Sequence, residues 1–346
     1  MKKVGIITII DNENCGNRLQ NYALQEIIKS IGFESYTIKN EKILNEKNNY
    51  FINYLKYLKK RMRSIFNTKK EFKNFNKNIK FTKKLYTARS KKLNKKFDFF
   101  IVGSDQVWKP TRKRMSYMDL LGFADNNKKI SYAASFGIDR IDIKAKEKLK
   151  KYLPTFKSIS VRECAGKNII QDIDKNIKVE VVLDPTLLLE DSKWRSMERK
   201  PNCLGNEKYV FSYFLGDEQL QLVKIFCEKN NLKLINFYDE NFKLGPSEFL
   251  YLIDNAEYIF TDSFHGTVFS IIFNKKFIVF DRKEQSINNN MISRILNILE
   301  LFEIENQLYK SGDFTFDIDY KNVTKILMEQ KNNSIKFLKD ALIDNY

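Results

Sequence analysis

His265 is the only histidine in the 346-residue chain, and its surroundings set the first chemical question. The segment Gly245–Arg282 reads as a helix, a strand (Tyr258–Thr261), a polar turn through Asp262, Ser263, Phe264, His265 and Gly266, and an apolar helix from Thr267 to Phe273. Such a strand-to-helix turn lies at the carboxyl edge of a parallel sheet, where open α/β sheets bind ligands. Free N–H groups at the helix start, with the Ser263 and Thr267 hydroxyls, suit a phosphate or carboxylate. Gly266 would let the backbone approach that ligand closely. The competing reading is structural: Asp262 or Ser263 caps the helix and His265 packs beside it.

A second cluster, Gly103, Ser104, Asp105, Gln106 and Trp108, follows the apolar run Phe99–Val102. Asp105 is placed to act as a base or to orient a substrate hydroxyl, or simply to cap the next turn. Arg162 follows the short run Ile159–Val161. Its guanidinium either clamps an oxyanion through two parallel hydrogen bonds or makes a surface ion pair with Glu163 or another acid. Asn14–Asn21 is a polar loop entering a helix, with Asn17 and Gln20 as candidate ligand contacts. Asp184, before Pro185, reads as a turn that ends a strand.

Several chemistries are excluded. The twelve glycines are too widely spaced for a dinucleotide fingerprint or a P-loop. One histidine and four scattered cysteines (Cys15, Cys164, Cys203, Cys227) form no zinc motif, so no metal site is expected. That scatter suits a reducing compartment better than a disulfide framework. No nucleophile elbow accompanies the histidine, which argues against a serine hydrolase. The Asp172/Asp174 and Asp317/Asp319 pairs sit in polar loops beside helices, a poor place for a metal-bound sugar nucleotide.

The elements that must position these groups alternate along the whole chain, the pattern of layered α/β structure. Val4–Ile10 is apolar and mostly β-branched, as in a strand buried on both faces. Arg18–Ile31 places Leu19, Tyr22, Ala23 and Ile27 on one helical stripe that Gly32 stops. Further strands are expected at Phe99–Val102, Ile130–Ala134, Ile159–Val161, Val179–Leu183, Tyr209–Phe214, Leu232–Phe237, Tyr258–Thr261 and Phe277–Phe280. A long terminal helix is expected over Tyr320–Ile343. Glu190–Asn206 is the least patterned stretch, so two doubly wound parallel-sheet domains facing a cleft are expected, over residues 1–190 and 206–346.

The net charge is +18, and nearly all of it sits in one insertion: Lys39–Lys96 carries 20 Lys/Arg against 3 acids. Within it Phe51, Leu55, Leu58, Met62 and Ile65 follow helical spacing. This basic amphipathic helix either lies on an anionic membrane surface or is a solvated helix on a domain core. No apolar stretch reaches the ~20 residues that cross a bilayer. A cytoplasmic protein, peripheral at the inner face of the membrane, is the expectation. A nucleic-acid partner would fit the charge but leaves the His265 and Asp105 clusters unexplained.

The segments NCGNRLQNYALQ, DFFIVGSDQVW, KKISYAASFG, ISVRECAG, VVLDPTLLL, GPSEFLYLIDNAEYIFTDSFHGTVFS and NKKFIVFDR, in this order, resemble the polysaccharide pyruvyl transferase family. The resemblance implies a GT-B-like fold of two Rossmann-like halves. It also implies transfer of a carboxyethylidene group from phosphoenolpyruvate, as co-substrate, to two hydroxyls of a sugar, with no cofactor. The acceptor would be a saccharide or a lipid-linked oligosaccharide. His265 matches the motif histidine, as general acid and phosphate contact, and Arg162 matches an arginine expected on the donor. Ser263, Phe264, Gly266 and Thr267 fall on the same donor side. Asp105 is the candidate for activating the acceptor hydroxyl, with Asn17, Gln20, Ser104, Gln106 and Trp108 as acceptor contacts. Many members carry Arg-Leu-His where this chain has Ser263-Phe264-His265. Either Arg162, Arg18 or Arg282 supplies that charge, or the donor differs, a sugar nucleotide of a GT-B glycosyltransferase being the alternative.

Overall fold

A computed structural model describes residues 1–12, 14–40, 70–86, 91–111, 114–202, 204–216, 220–239, 243–282 and 292–343. The amphipathic pattern Phe51–Ile65, and most of the basic insertion with it, lies outside the described residues.

The first part of the chain alternates β1 (Lys3–Ile7), α1 (Cys15–Ser30), β2 (Glu34–Thr37), α2 (Lys70–Phe75), β3 (Phe99–Gly103), β4 (Lys129–Ala134), α3 (Ile143–Tyr152), β5 (Ser158–Val161), α4 (Cys164–Ile173) and β6 (Glu180–Val181). A short helix α5 (Asp191–Arg195) leads into β7 (Tyr209–Tyr213), α6 (Leu220–Lys229), β8 (Lys233–Asn236), α7 (Pro246–Asp254), β9 (Tyr258–Thr261), α8 (Phe264–Ile272), β10 (Phe277–Val279), α9 (Ser293–Leu301) and α10 (Tyr320–Leu342). All pairings between these strands are parallel. The first sheet has the order β2-β1-β3-β4-β5-β6 and the second β10-β9-β7-β8.

Both sheets are covered on both faces, which explains their unbroken apolar strands. Along β3, Phe99 and Ile101 point into one core while Phe100 and Val102 point into another. The first of these cores does not stop at the first sheet. It runs through α1 and α7 to Tyr209, Phe211 and Phe269 of the second half. Trp194 of α5 is its hinge pin, with its ring edge-on to Tyr22 at 5.8 Å and to Phe269 at 5.0 Å.

α10 returns to the first sheet. Its start is tied to the second half by the Tyr320 hydroxyl, which donates to the Lys275 carbonyl. Near its end Phe337 meets Tyr132 at 6.4 Å and Ser334 Oγ accepts from Leu183 N at 3.0 Å. β2 (ESYT) was not expected from the sequence, because an edge strand with alternating burial offers little apolar signal. α8 begins one turn earlier than its apolar run suggests, so Phe264, His265, Gly266 and Thr267 are helical.

Candidate functional site

In each sheet the chain reverses its direction of travel around its first strand, which leaves β1 between β2 and β3, and β7 between β8 and β9. Successive connections leave such a switch point in opposite directions and open a crevice at the carboxyl ends of the strands. The two crevices face one another across a single cavity of about 310 Å³. Asp11, Asn14, Asn17, Asp105 and Gln106 come to it from the β1 and β3 ends, and Leu215, Asp262, Ser263, Phe264 and His265 from the β7 and β9 ends. Arg114, Tyr238, Arg282 and Arg294 complete the polar wall.

His265 sits in the first turn of α8, 6 % exposed. The start of α1 fixes its ring. A β-carbon added at Gly16 would overlap the imidazole, with even Cε1 only 2.6 Å away. Gly16 is held there by Asn14, the N-cap of α1, whose side chain accepts from Gly16 N at 2.8 Å. Burial pushes the imidazole below its ordinary pKa. Asp184 and Asp105 pull it back up, and Arg162 and Arg294 push it further down.

Behind His265 lies a buried ionic cluster. Asp184 Oδ2 accepts from Arg162 Nη1 at 2.9 Å and from Ser104 Oγ at 2.6 Å, and lies 3.8 Å from His265 Nε2. Its other oxygen accepts from Thr186 N at 3.0 Å and Thr186 Oγ1 at 2.7 Å. Burial opposes the charge on Asp184, but His265, Arg162 and these hydrogen bonds outweigh it and hold the carboxyl at about 2. Arg162 Nη2 reaches within 3.9 Å of Asp105 Oδ1. Asp105 has a left-handed backbone, φ 65°, a conformation aspartate tolerates better than most residues. Its carbonyl accepts from Ser135 N and Val107 N, which aims the carboxylate into the cleft. Burial opposes ionisation of Asp105 as well. Arg162, then His265, Arg114 and Arg294, overcome it and leave the carboxyl below its ordinary value.

The sequence candidates divide clearly. Asn17, Asp105, Gln106, Ser263, Phe264 and His265 line the cavity. Trp108 does not: it is fully buried in the core, its Nε1 donating to the Asp119 carbonyl at 3.1 Å. Ser104 faces Asp184, and Gln20 is buried against Thr8 Oγ1 (2.9 Å) and the Asn17 carbonyl (3.1 Å). Thr267 donates to the Ser263 carbonyl inside α8. Gly266 is small for the sake of packing, since a β-carbon there would come 3.0 Å from Thr261 Cβ. Arg162 is held behind Phe264, its Cζ 4.1 Å from the ring centroid, so the ion-pair reading describes its contacts, with the pair buried rather than at the surface.

Of the other arginines weighed for the donor charge, Arg18 is buried and donates to the Ile9 carbonyl. Arg282 grips Asp262, with Nε 3.0 Å from Oδ2. Asp262 is not a helix cap either; it receives Leu215 N at 2.7 Å and Gly216 N at 2.9 Å. The Asp319 of one acidic pair caps α10 by accepting from Lys321 N and Asn322 N.

The residues that sequence reading missed are Asp184, 3.8 Å from His265 Nε2, and Arg114 and Arg294 in the cavity wall. Arg294 did leave a signal. It shares a helical stripe with Ile298 and Leu301, a cation on the apolar side of an amphipathic helix.

Two parallel α/β sheets meeting at their switch points, with the polar groups in the cleft between them, define a GT-B-like fold. Solved structures share it. The UDP-GlcNAc 2-epimerase from Methanocaldococcus jannaschii is 14 % identical, with 96 % of this chain and 93 % of that chain covered and a TM-score of 0.50. S. aureus MnaA, solved with UDP, is 13 % identical over 97 % of this chain and 91 % of that one, TM-score 0.50. At such identities the likeness is one of fold. No curated protein matches the sequence. A sequence profile of the polysaccharide pyruvyl transferase family matches residues 14–284, and the chain belongs to that family. It is therefore a transferase of polysaccharide biosynthesis acting on a saccharide acceptor. Among the described residues no helix is long and apolar enough to cross a membrane.

Proposed function

We propose that the protein transfers the carboxyethylidene group of phosphoenolpyruvate to two hydroxyls of a sugar, in a cell-surface polysaccharide or its lipid-linked precursor, to form a cyclic ketal. The observation that carries this reading is the composition of the cleft. His265 and the carboxylate of Asp105 share one cavity with Arg114 and Arg294, and neither arginine has a carboxylate partner among the described residues. That set suits a small donor with two anionic groups.

The steps follow from the positions of the groups. A proton from His265 to the methylene carbon of the donor turns it into a methyl group and leaves C2 electron-deficient. The first sugar hydroxyl adds to C2 and gives its proton to Asp105. Phosphate leaves with the C2–O bond electrons, the second hydroxyl closes the ketal, and its proton completes the balance on the phosphate side. The chemistry so written uses neither metal nor nucleotide. Burial lowers the pKa of the imidazole, and the anionic groups of a bound donor favour imidazolium, the form that acts as the acid.

Calorimetric titration of phosphoenolpyruvate against a panel of sugar nucleotides tests the reading. Saturable binding of phosphoenolpyruvate supports it, with Asp105→Asn binding the donor but releasing no phosphate when acceptor is added. Binding of a sugar nucleotide and none of phosphoenolpyruvate would replace it with glycosyl transfer. The charge of Lys39–Lys96 favours an acceptor presented at an anionic membrane surface. Vesicle binding that survives replacement of the Lys and Arg residues of 39–96 by Gln would remove that part of the proposal.

A further inference from the structure

The position two residues before His265 is Ser263, which brings no charge to the donor side of the cleft. We propose that Arg294 of α9 is the anion receptor of this cleft, and that Gln106, from the opposite half of the molecule, is the residue that positions it. As an anion receptor Arg294 stands on its own geometry; as a receptor for phosphoenolpyruvate it rests on the pyruvyl-transfer reading above.

The argument begins with charge. Five arginines stand in or beside the cleft, and most are already occupied. Arg162 is neutralised by Asp184, Arg282 by Asp262, and Arg18 is turned to a backbone carbonyl. Arg114 and Arg294 have no carboxylate partner among the described residues, and of the two Arg294 is the more deeply buried. It is 7 % exposed and lines the cavity with His265 and Ser263. Its polar partner is the neutral amide of Gln106, whose oxygen, turned toward it, accepts from Nη2 at 2.7 Å and Nη1 at 2.9 Å. Nε is buried with no partner. A buried guanidinium held by a neutral group is costly unless an anion completes it, and a ligand in the cavity is the anion that can.

The surroundings keep Arg294 in that state. Both guanidinium groups pack against Phe264, Arg162 Cζ at 4.1 Å and Arg294 Cζ at 6.0 Å from the ring centroid. Arg162 is paired with Asp184, whereas Arg294 lines the cavity. Gln106 in turn is seated against Gly137, where φ is +66° and a β-carbon would come 2.8 Å from Gln106 Cδ. Gly137 thus leaves the room that Gln106 occupies. A second tie joins α9 to the start of α4, Cys164 N donating to Asn297 Oδ1 at 3.0 Å, so α9 is registered against the first half at two points.

The test compares wild type, Arg294→Gln and Gln106→Glu for binding of phosphoenolpyruvate and of inorganic phosphate by calorimetry, with thermal melts of each. Arg294→Gln removes the charge and should weaken binding about 10- to 100-fold, the range of a charge-assisted hydrogen bond. Gln106→Glu is the discriminating variant. It keeps the contact and adds a salt bridge, so a purely structural Arg294 would hold or raise the melting temperature with binding intact. An anion receptor would instead lose affinity at least tenfold while the protein stays folded. If Arg294→Gln does not fold, Gln106→Glu carries the test alone. Unchanged affinity in Gln106→Glu overturns the proposal. Wild type that binds phosphate but not phosphoenolpyruvate, with phosphate lost in Gln106→Glu, upholds Arg294 and refutes the pyruvyl donor. Binding of neither anion by wild type overturns both.

Discussion

Replacing Gly16 by alanine sets a helix-forming gain directly against a steric loss at His265. Gly16 lies in the first turn of α1, where alanine is favoured over glycine by up to about 1 kcal/mol. Against this, the new β-carbon overlaps the imidazole and stands 2.6 Å from Cε1. Ordinary carbon contacts begin near ~3.5 Å, so the ring or the helix must retreat by about 1 Å or more. The ring has little room to do so, since Phe264 stands edge-on to it at 5.2 Å and Asp184 lies on its Nε2 side. Overpacking of this kind costs about 1–3 kcal/mol, so the net loss of stability should be no more than about 3 kcal/mol and smaller by whatever the helix gains. The effect on turnover should be far larger, about a hundredfold for a displacement of about 1 Å at a reacting group. Because the chain has a single histidine, its Cε1 proton gives one imidazole resonance in the NMR spectrum with no assignment to resolve. That resonance should move in Gly16→Ala. The matched comparison is Gly32→Ala. Gly32 has φ +100° and nothing within 4 Å of an added β-carbon, so strain falls on the turn alone and the resonance should stay put. A Gly16→Ala protein with the wild-type imidazole signal and wild-type turnover would refute the steric account of how His265 is held.

The same resonance should titrate below the ordinary histidine range in the free protein, because burial dominates. It should shift upward when phosphoenolpyruvate is added, with proton uptake visible as a buffer-dependent binding enthalpy. Asp184→Asn should cost up to about 3–5 kcal/mol in denaturant titration, since it leaves Arg162 buried with only the longer contacts to Glu163 at 3.7 Å and Asp105 at 3.9 Å. The wild-type carboxyl, lowered from 3.8 to about 2, stabilises the fold fully above the unfolded value. That contribution, roughly 2–3 kcal/mol, should fade as pH falls through about 2 and be absent from Asp184→Asn. Trp108→Phe should lower stability by about 1–3 kcal/mol, by orphaning the Asp119 carbonyl. It should leave anion affinity unchanged; a loss of affinity would return Trp108 to the binding site.

The fold was legible wherever burial on both faces forced an unbroken apolar strand. β1, β3, β4, β7, β9 and β10 announce themselves for that reason, and the strand-to-helix turn at His265 with them. The limits of that signal are physical. β2 is a half-exposed edge, and Phe264 and His265 are helical because α8 starts with ring-bearing residues rather than at the hydroxyl of Thr267. Within the site, proximity in sequence misled in both directions. Ser104 and Trp108 lie within three residues of Asp105 in the chain yet turn away from the cavity, because the chain leaves β3 at Gly103 and bends through the left-handed Asp105. Asp184 and Arg294 reach His265 from 81 residues before it and 29 after, and only the topology brings them together. Gly266 invited a ligand-contact reading, although its missing side chain accommodates Thr261.

The apolar core that runs unbroken from the first sheet through Trp194 to the second has a consequence for anyone wishing to rebuild this enzyme. Modular glycan enzymes invite chimeras that graft the acceptor half of one relative onto the donor half of another. Here the seam between the halves is a shared interior, and α10 is stitched across it at both ends. A graft at residues 190–206 would therefore need a re-matched interior around Tyr22, Trp194 and Phe269 as well as a new joint. Changes of specificity are better sought in side chains that line the cavity, which can be changed without disturbing that seam.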